Sequence, residues 1–393
     1  MTSTPTMTTK LIGLLGRREL LAAAAGAFGA VACGSQQAAP RGDGAAGAAG
    51  RRPFEGRALT IFVYTGIWEK WYRELFVPTF EAETGAKVIV DAGWWDGLPK
   101  LKVAPPDQPP FDLMLTDPTQ GFPAIRDGLA AKLNLSNIPN VKRFAPKVLE
   151  ASVFKDGWGI PHISSPMTLA WDKEMIPGGL KSWGDLLEPP AKGAFTAYNS
   201  YYMGLFTFAA IKAAREGKSG QARQMIEQDL DGVLSFAKQH RDAVRYWWSA
   251  TTDAVQAFLG KNVVAGSLHG NGLLAPIRDK KPLDFLIPQQ DRAYVQLFWL
   301  VPKGSKNKDV AEAALNLICS STFQWNLAAK SGELATHLPE AAEPIGQQDK
   351  LWGRVYPSTA DDWANLSYYP YDFYDRNDQK ISAFWDREIL RKG

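Results

Sequence analysis

Three apolar runs near the front of the chain restrict its fold more than any other feature. They are ALTIFVY (Ala58–Tyr64), KVIVDAG (Lys87–Gly93) and PFDLMLTD (Pro110–Asp117). Each is a continuous or β-branched run, not an alternation of apolar and polar residues, which is how strands buried on both faces of a parallel sheet read. Between the first two lies VPTFEAETG, a short helical stretch with Pro78 tolerated near its start and Gly85 as its stop. Alternation of strand and helix predicts an α/β sheet. The middle of the chain is richer in helix, in YMGLFTFAAIKAAREG and QARQMIEQDLDGVLSFAKQH. Strand-like runs return in DAVRYWW, NVVAGSLHG, LDFLIP and AYVQLFWLVP, and helices resume from NKDVAEAALNLICSSTFQWNLAAKSG onward. With 393 residues, 45% of them hydrophobic and 14 tryptophans, the chain is expected to divide between two domains.

The front of the chain reads RRELLAAAAGAFGAVAC, from Arg17 to Cys33. Its apolar middle, Leu20 to Val31, is shorter than the roughly 20 residues a membrane span needs and suits the core of a signal peptide. Arg17-Arg18 resembles a twin-arginine export signal, and Ala30-Val31-Ala32-Cys33 resembles a lipobox. Residues 1–32 are therefore expected to be a signal peptide, Cys33 the lipidated N-terminus, and residues 33–56, rich in Gly and Ala, a flexible tether. Much of the net charge of +3 lies in the leader, in Lys10, Arg17 and Arg18 against Glu19. A nearly neutral remainder argues against nucleic acid as a partner. The second cysteine, Cys319, lies on an apolar helical face and is expected to be a buried, inert thiol.

Several phrases, in this order, resemble the extracellular solute-binding proteins of ABC importers, especially the spermidine/putrescine branch. They are LTIFVYTGIWEKW with FVPTFEAETGAKVIV, PPFDLMLTD, GWGIPHISSPMTLAWDKEMI, KSWGDLLEPPAKGAF, VQAFLGKNVVAGSLHGNG, FWLVPKGSKNKDVAEAALNLICS and SGELATHLPEAA. The resemblance implies a two-lobed α/β fold of the type II periplasmic-binding-protein kind, with the ligand cleft between lobes joined by strand crossovers. Lobe 1 is expected from residues 57–162 and 291–325, lobe 2 from 163–290 and 326–393. A monomer is expected, held at the periplasmic or extracellular face by its lipid, delivering a small solute to a permease in the inner membrane and using no cofactor.

In such binders ligand groups lie on loops at the carboxyl ends of strands. That selects Tyr64, Thr65 and Trp68 after the first strand, Trp95 after the second, and Asp117 and Thr119 after the third. In the second lobe it selects Asn199 and Tyr201, then Trp248 and Ser249, then His269 and Asn271, with Thr251 expected to cap the helix after Ser249. Tyr294 and Gln296 lie on the returning strand. Trp171, Trp183, Trp299 and Trp325 read as core residues; of Trp247 and Trp248, adjacent on a strand, one is expected to face the core and the other the cleft.

Polyamine-binding relatives meet ammonium groups with carboxylates and box the methylene chain with aromatic faces, as a desolvated cation requires. The corresponding segment here, AYNSYYMG, has no acid, and AYVQLFW keeps Tyr294 but not the acid beside it. Asp117 is a partial substitute, and one carboxylate suits a singly charged or neutral ligand better than a di- or triamine. Asp117 reads equally as an ordinary turn-capping residue before Pro118, and a polyamine-like amine is the first expectation by the resemblance alone. No metal is expected, because neither paired tyrosines nor His/Glu spacing occurs where it is needed. An alternative is a secreted lipoprotein acting on carbohydrate, with Asp96 and Asp117 as facing carboxylates. Neither H-E-x-x-H nor G-x-S-x-G is present, so an enzyme is not expected. A second alternative is a binding lipoprotein that serves a sensor and takes a ligand other than an amine.

Overall fold

The computed structural model describes residues 52–391. The leader, Cys33 and the tether as far as residue 51 lie outside the described residues. Residues 53–56 form a turn docked on the fold, with the Phe54 N–H donating to Thr84 O at 2.9 Å.

The predicted runs form strands and helices in order. β1 (Ala58–Tyr64) leads through α1 (Val77–Thr84) to β2 (Lys87–Gly93), then β3 (Leu113–Thr116), α2 (Pro118–Arg126) and the two-residue β4 (Ala130–Ala131). β5 (Ile160–Asp172) follows, then β6 (Phe195–Tyr198), α3 (Tyr201–Arg215), β7 (Val244–Trp248) and α4 (Thr251–Leu259). After β8 (Ala265–His269) come α5 (Asn271–Arg278), β9 (Leu283–Leu286), β10 (Tyr294–Pro302), α6 (Ser321–Ser331) and α7 (Tyr371–Phe384). Gly85 stops α1 as expected, at φ 76°, where its N–H closes on Glu81 O at 3.0 Å. The long run from Gln221 to His240 breaks at Asp229 into two helices, because the Asp229 carboxylate accepts the Gly232 N–H and starts the second.

The described strands make one mixed sheet in the order β2-β1-β3-β10-β5-β8-β6-β7, with β4 on β10 and β9 on β5. β1 runs parallel to β2 and β3, while β10 lies antiparallel between β3 and β5. β6 runs parallel to β7 and β8. β5 ties the two lobes together: Ile160 to Pro166 pair with β10, and Met167 to Asp172 pair with β8 and β9. A strand of 13 residues was not expected here. Pro161 and Pro166 argue against a central strand by themselves; Pro166 lies where the partner of β5 changes from β10 to β8, and Pro161 sits opposite Phe298 near the start of the strand.

Each lobe buries an aromatic core. In the first, Tyr72, His162 and Trp299 are fully buried and pack together, with Tyr72 5.2 Å from Trp299. Trp171, Trp183 and Trp299 are core residues, but Trp325 is 36% exposed. α6 turns Phe323, Leu327 and Ala328 inward, which leaves Trp325 on its outer face. Cys319 is buried and free, and burial pushes its thiol pKa up. α7 reaches both lobes: Asp375 pairs with Arg126 at the end of α2, and Asp378 accepts from the Tyr201 hydroxyl at 2.5 Å. None of the described helices is long and apolar enough to cross a membrane.

Candidate ligand-binding cleft

The parallel strands of both lobes end at one place. β1, β2 and β3 end at Tyr64, Gly93 and Thr116, while β6, β7 and β8 end at Tyr198, Trp248 and His269. The loops that follow them enclose a cavity of about 700 Å³, within the range of small-molecule sites. A second groove of about 520 Å³ lies on the flank beside α1 and α6, and no strand end reaches it.

Nine of the selected residues line the cavity. From the first lobe they are Tyr64, Thr65, Trp68, Trp95 and Asp117; from the second, Trp248, Ser249, His269 and Asn271. Trp248 faces the cavity, whereas its neighbour Trp247 turns the other way onto Phe208 and Trp385, as strand alternation requires.

The other five lie elsewhere. Tyr294 and Gln296 are off by one: on β10 it is Val295 and Leu297 that face the cavity, while the Tyr294 hydroxyl donates to Val355 O at 3.2 Å. Gln296 is buried on the same opposite face. Adjacent residues on a helix point about 100° apart, and on α3 it is Tyr202 that reaches the cavity while Tyr201 turns to α7. Asn199 is held by its backbone, its N–H on Trp248 O and its carbonyl taking Trp385 Nε1, each at 2.9 Å. Thr119 acts through Asp117, giving Oδ1 its N–H at 2.7 Å and its hydroxyl at 2.5 Å. Thr251 lines the cavity but is not a cap: Ala250 holds that position and offers no side-chain acceptor.

The walls are aromatic and continuous across the lobes. Tyr64 lies 5.0 Å from Trp94, Trp94 6.4 Å from Trp95, and Trp95 6.3 Å from Tyr202 of the other lobe. Tyr202 continues to Tyr198, and Tyr198 packs 4.6 Å from Trp248. Below this wall sits Asp117, only 3% exposed. Burial raises its pKa, and the bonds from Thr119 and Tyr64 work against that rise. Asp117 and Glu333 are the carboxylates of the lining, which contains neither lysine nor arginine. The sequence reading missed Ser164, Gln256 and Glu333. Glu333 follows the left-handed Gly332 that ends α6, far along the chain from the other lining residues, and no local pattern marks it. Asp96 does not face Asp117 across the cavity; it pairs with Lys100 at 2.9 Å. No group of three or more His, Cys, Asp or Glu that could hold a metal occurs among the described residues.

A family model described as bacterial extracellular solute-binding protein matches residues 76–351. The chain belongs to this family. Its members capture solutes for ABC importers and are not enzymes, so this receptor delivers a small molecule from outside the membrane to a permease. The receptor is 21% identical over 302 residues to spermidine/putrescine-binding periplasmic protein 1 of Haemophilus influenzae, covering 76% of this chain and 81% of that protein. Its fold matches the Atu4243-GABA receptor with a TM-score of 0.70 at 17% identity, over 86% of this chain and 99% of the other. It also matches the spermidine/putrescine transporter substrate-binding protein PotD of Streptococcus pneumoniae with a TM-score of 0.68 at 16% identity, over 86% and 100% of the two chains. These likenesses show the type II fold.

Proposed function

We propose that this receptor captures a small organic amine, polyamine-like in kind, by closing its lobes on it. One observation carries the reading: a buried carboxylate, Asp117, lies beneath an aromatic wall in a cavity that has no cationic side chain. A desolvated ammonium needs an opposite charge or a π face, and the cleft supplies both. Glu333 adds a second carboxylate, so an amine with more than one charge also fits. The named ligands of the relatives, spermidine, putrescine and GABA, all carry an ammonium group, which supports the reading.

In this reading the ligand meets Tyr64, Thr65, Trp68, Trp95 and Asp117 from lobe 1 and Trp248, Ser249, His269 and Asn271 from lobe 2. The lobes divide near residue 162 and again near 290. Titration calorimetry with putrescine, spermidine and simple monoamines tests it: at least one binds, and Asp117→Asn weakens that binding tenfold or more. Full affinity in Asp117→Asn would exclude Asp117 from recognition.

The leader adds a location. The lipobox-like Ala30-Val31-Ala32-Cys33 supports export and acylation at Cys33, which would hold the receptor beside its permease and raise its effective concentration there. Cys33→Ala is expected to move the protein from the membrane fraction to the soluble fraction; unchanged partition contradicts the anchor.

A further inference from the structure

Whichever solute the cleft takes, closing it brings the two lobes together, and α7 is placed to act on that step. α7 follows residue 351, where the family match stops. Its rear is fixed to the half of the sheet made by β6, β7 and β8. Lys380 pairs with Asp231 at 2.7 Å. Trp385, the residue after α7, donates its Nε1–H to Asn199 O and packs 5.9 Å from Trp247. α7 therefore belongs with lobe 2.

The front of α7 meets the other lobe. Arg126, the last residue of α2, pairs with Asp375. Pro118, Thr119 and Pro123 of α2 share a small crevice with Tyr374 and Asp378, so α7 faces the start of α2 as well as its end. That start carries Asp117, and the start of α3 carries Tyr202, whose ring lies 6.4 Å from Tyr371 of α7. Asp117 and Tyr202 line the cavity, whereas Arg126 and Asp375 do not. One helix thus touches, from outside the cleft, an element of each lobe that carries a ligand-facing side chain.

Charge gives the contact a direction. Asp375 and Asp378 stand three residues apart on one helix, where like charges repel. Asp378 is served within lobe 2 by the Tyr201 hydroxyl at 2.5 Å. The cation paired with Asp375 comes from lobe 1, from Arg126. Arg126 has a second carboxylate within reach, Asp127 at 3.7 Å, and Asp127 itself pairs with Lys102 at 2.9 Å. Parting the lobes leaves Arg126 beside Asp127 but takes the cation away from Asp375. The set of charges is complete only with the lobes together.

We infer that Arg126 and Asp375 form a latch between the lobes, a contact outside the cleft that favours the closed arrangement and so raises affinity for the solute without touching it. They are positioning residues. A receptor whose binding-competent arrangement is only partly populated binds more weakly by that fraction. The inference rests on lobe closure and not on the amine reading of the cleft.

Double electron–electron resonance on the ligand-free, full-length chain tests it. Spin labels go on Lys70→Cys and Asp253→Cys, exposed positions that follow the lining residues Trp68 and Thr252 on the two lobes. The background is Cys33→Ala, in which the remaining thiol, Cys319, is buried. Arg126→Asp and Asp375→Arg each set like charges against each other, and each is expected to move the distance distribution to longer values. The double variant restores the pair with its charges exchanged and is expected to bring the distribution back. Titration calorimetry with the tightest binder among putrescine, spermidine and butylamine follows the same variants. Each single variant is expected to lose about threefold or more in affinity, the scale of a partly exposed ion pair, and the double variant to regain it. A distribution unchanged in both single variants overturns the latch, as does a double variant no closer to the parent than the singles. Opening without loss of affinity overturns it too. Failure of all three amines to bind the parent overturns the amine reading alone, and the distances still decide the latch.

Discussion

The Tyr64 hydroxyl donates to Asp117 Oδ2 at 3.0 Å and accepts the Asp117 N–H at 3.0 Å, so one phenol holds both the carboxylate and the backbone that carries it. This reciprocal pair joins the end of β1 to the end of β3 and fixes the charge at the floor of the cleft. Tyr64→Phe is expected to strand the Asp117 N–H, costing about 1–3 kcal/mol of stability. It also removes a bond that favours the ionised carboxyl, whose pKa burial has already raised. Affinity for an amine should fall as pH drops through that raised value, and in Tyr64→Phe the fall should begin at higher pH. Calorimetry at several pH values checks this; an unshifted profile contradicts it.

The two tryptophans of the wall separate binding from stability. Trp95 is 37% exposed, whereas Trp248 is 1% exposed and donates its Nε1–H to Ser267 O at 2.9 Å. Trp95→Ala should weaken binding several-fold at nearly unchanged melting temperature. Trp248→Ala should cost about 3–5 kcal/mol of stability, the range for truncating a buried aromatic. Denaturant unfolding of both variants distinguishes these outcomes.

Buried histidines set the acid limit of the fold. His162 packs against Trp68, Tyr72, Trp299 and His337, with both ring nitrogens unpartnered, and its pKa is lowered to about 3. Burial also lowers His269, to about 4, and His337. The unfolded chain protonates these groups near pH 6.5 and the folded chain does so only at much lower pH. Stability is therefore present above about 6.5 and lost as pH falls toward 4, at about 1.4 kcal/mol per pH unit for each histidine. His162→Phe should make the acid loss shallower without lowering stability at neutral pH. An unchanged acid slope would exclude His162.

Gly204 on α3 lies against Trp385, which follows α7. An added Cβ would overlap that indole and sit 2.9 Å from Tyr198 O. Glycine to alanine inside a helix ordinarily stabilises by about 1 kcal/mol. Here the overlap reverses the sign, and Gly204→Ala should destabilise by about 1–3 kcal/mol. A higher melting temperature in Gly204→Ala would show that Trp385 yields freely.

What the sequence disclosed follows from how local each signal was. The runs at β1, β3 and β10 were legible because a strand buried on both faces leaves a continuous apolar string, whereas β2, an edge strand with Ile89 half-exposed, was legible through its β-branched residues. β5 was not, since its two prolines hide a strand whose partners change halfway along. Strand ends pointed to Asp117, Trp248 and His269, which line the cavity. On β10, by contrast, the choice between Tyr294 or Gln296 and Val295 or Leu297 depends on which face the sheet turns to the cleft, and every residue of that strand is buried. The place of Glu333 at the cavity and the pairing of Arg126 with Asp375 exist only through tertiary packing, which no spacing records.

The central claim, capture of an ammonium-bearing solute between two lobes, is met most directly by thermal unfolding against a panel of polyamines, amino acids, sugars and phosphonates. A ligand at 100 times its Kd adds about 2.7 kcal/mol, a rise of a few degrees for a chain of this size. The account predicts that compounds carrying an ammonium group raise the melting temperature and that sugars and phosphonates without one do not. A rise confined to sugars, or to anions lacking an amine, would contradict it and remove Asp117 from the centre of recognition.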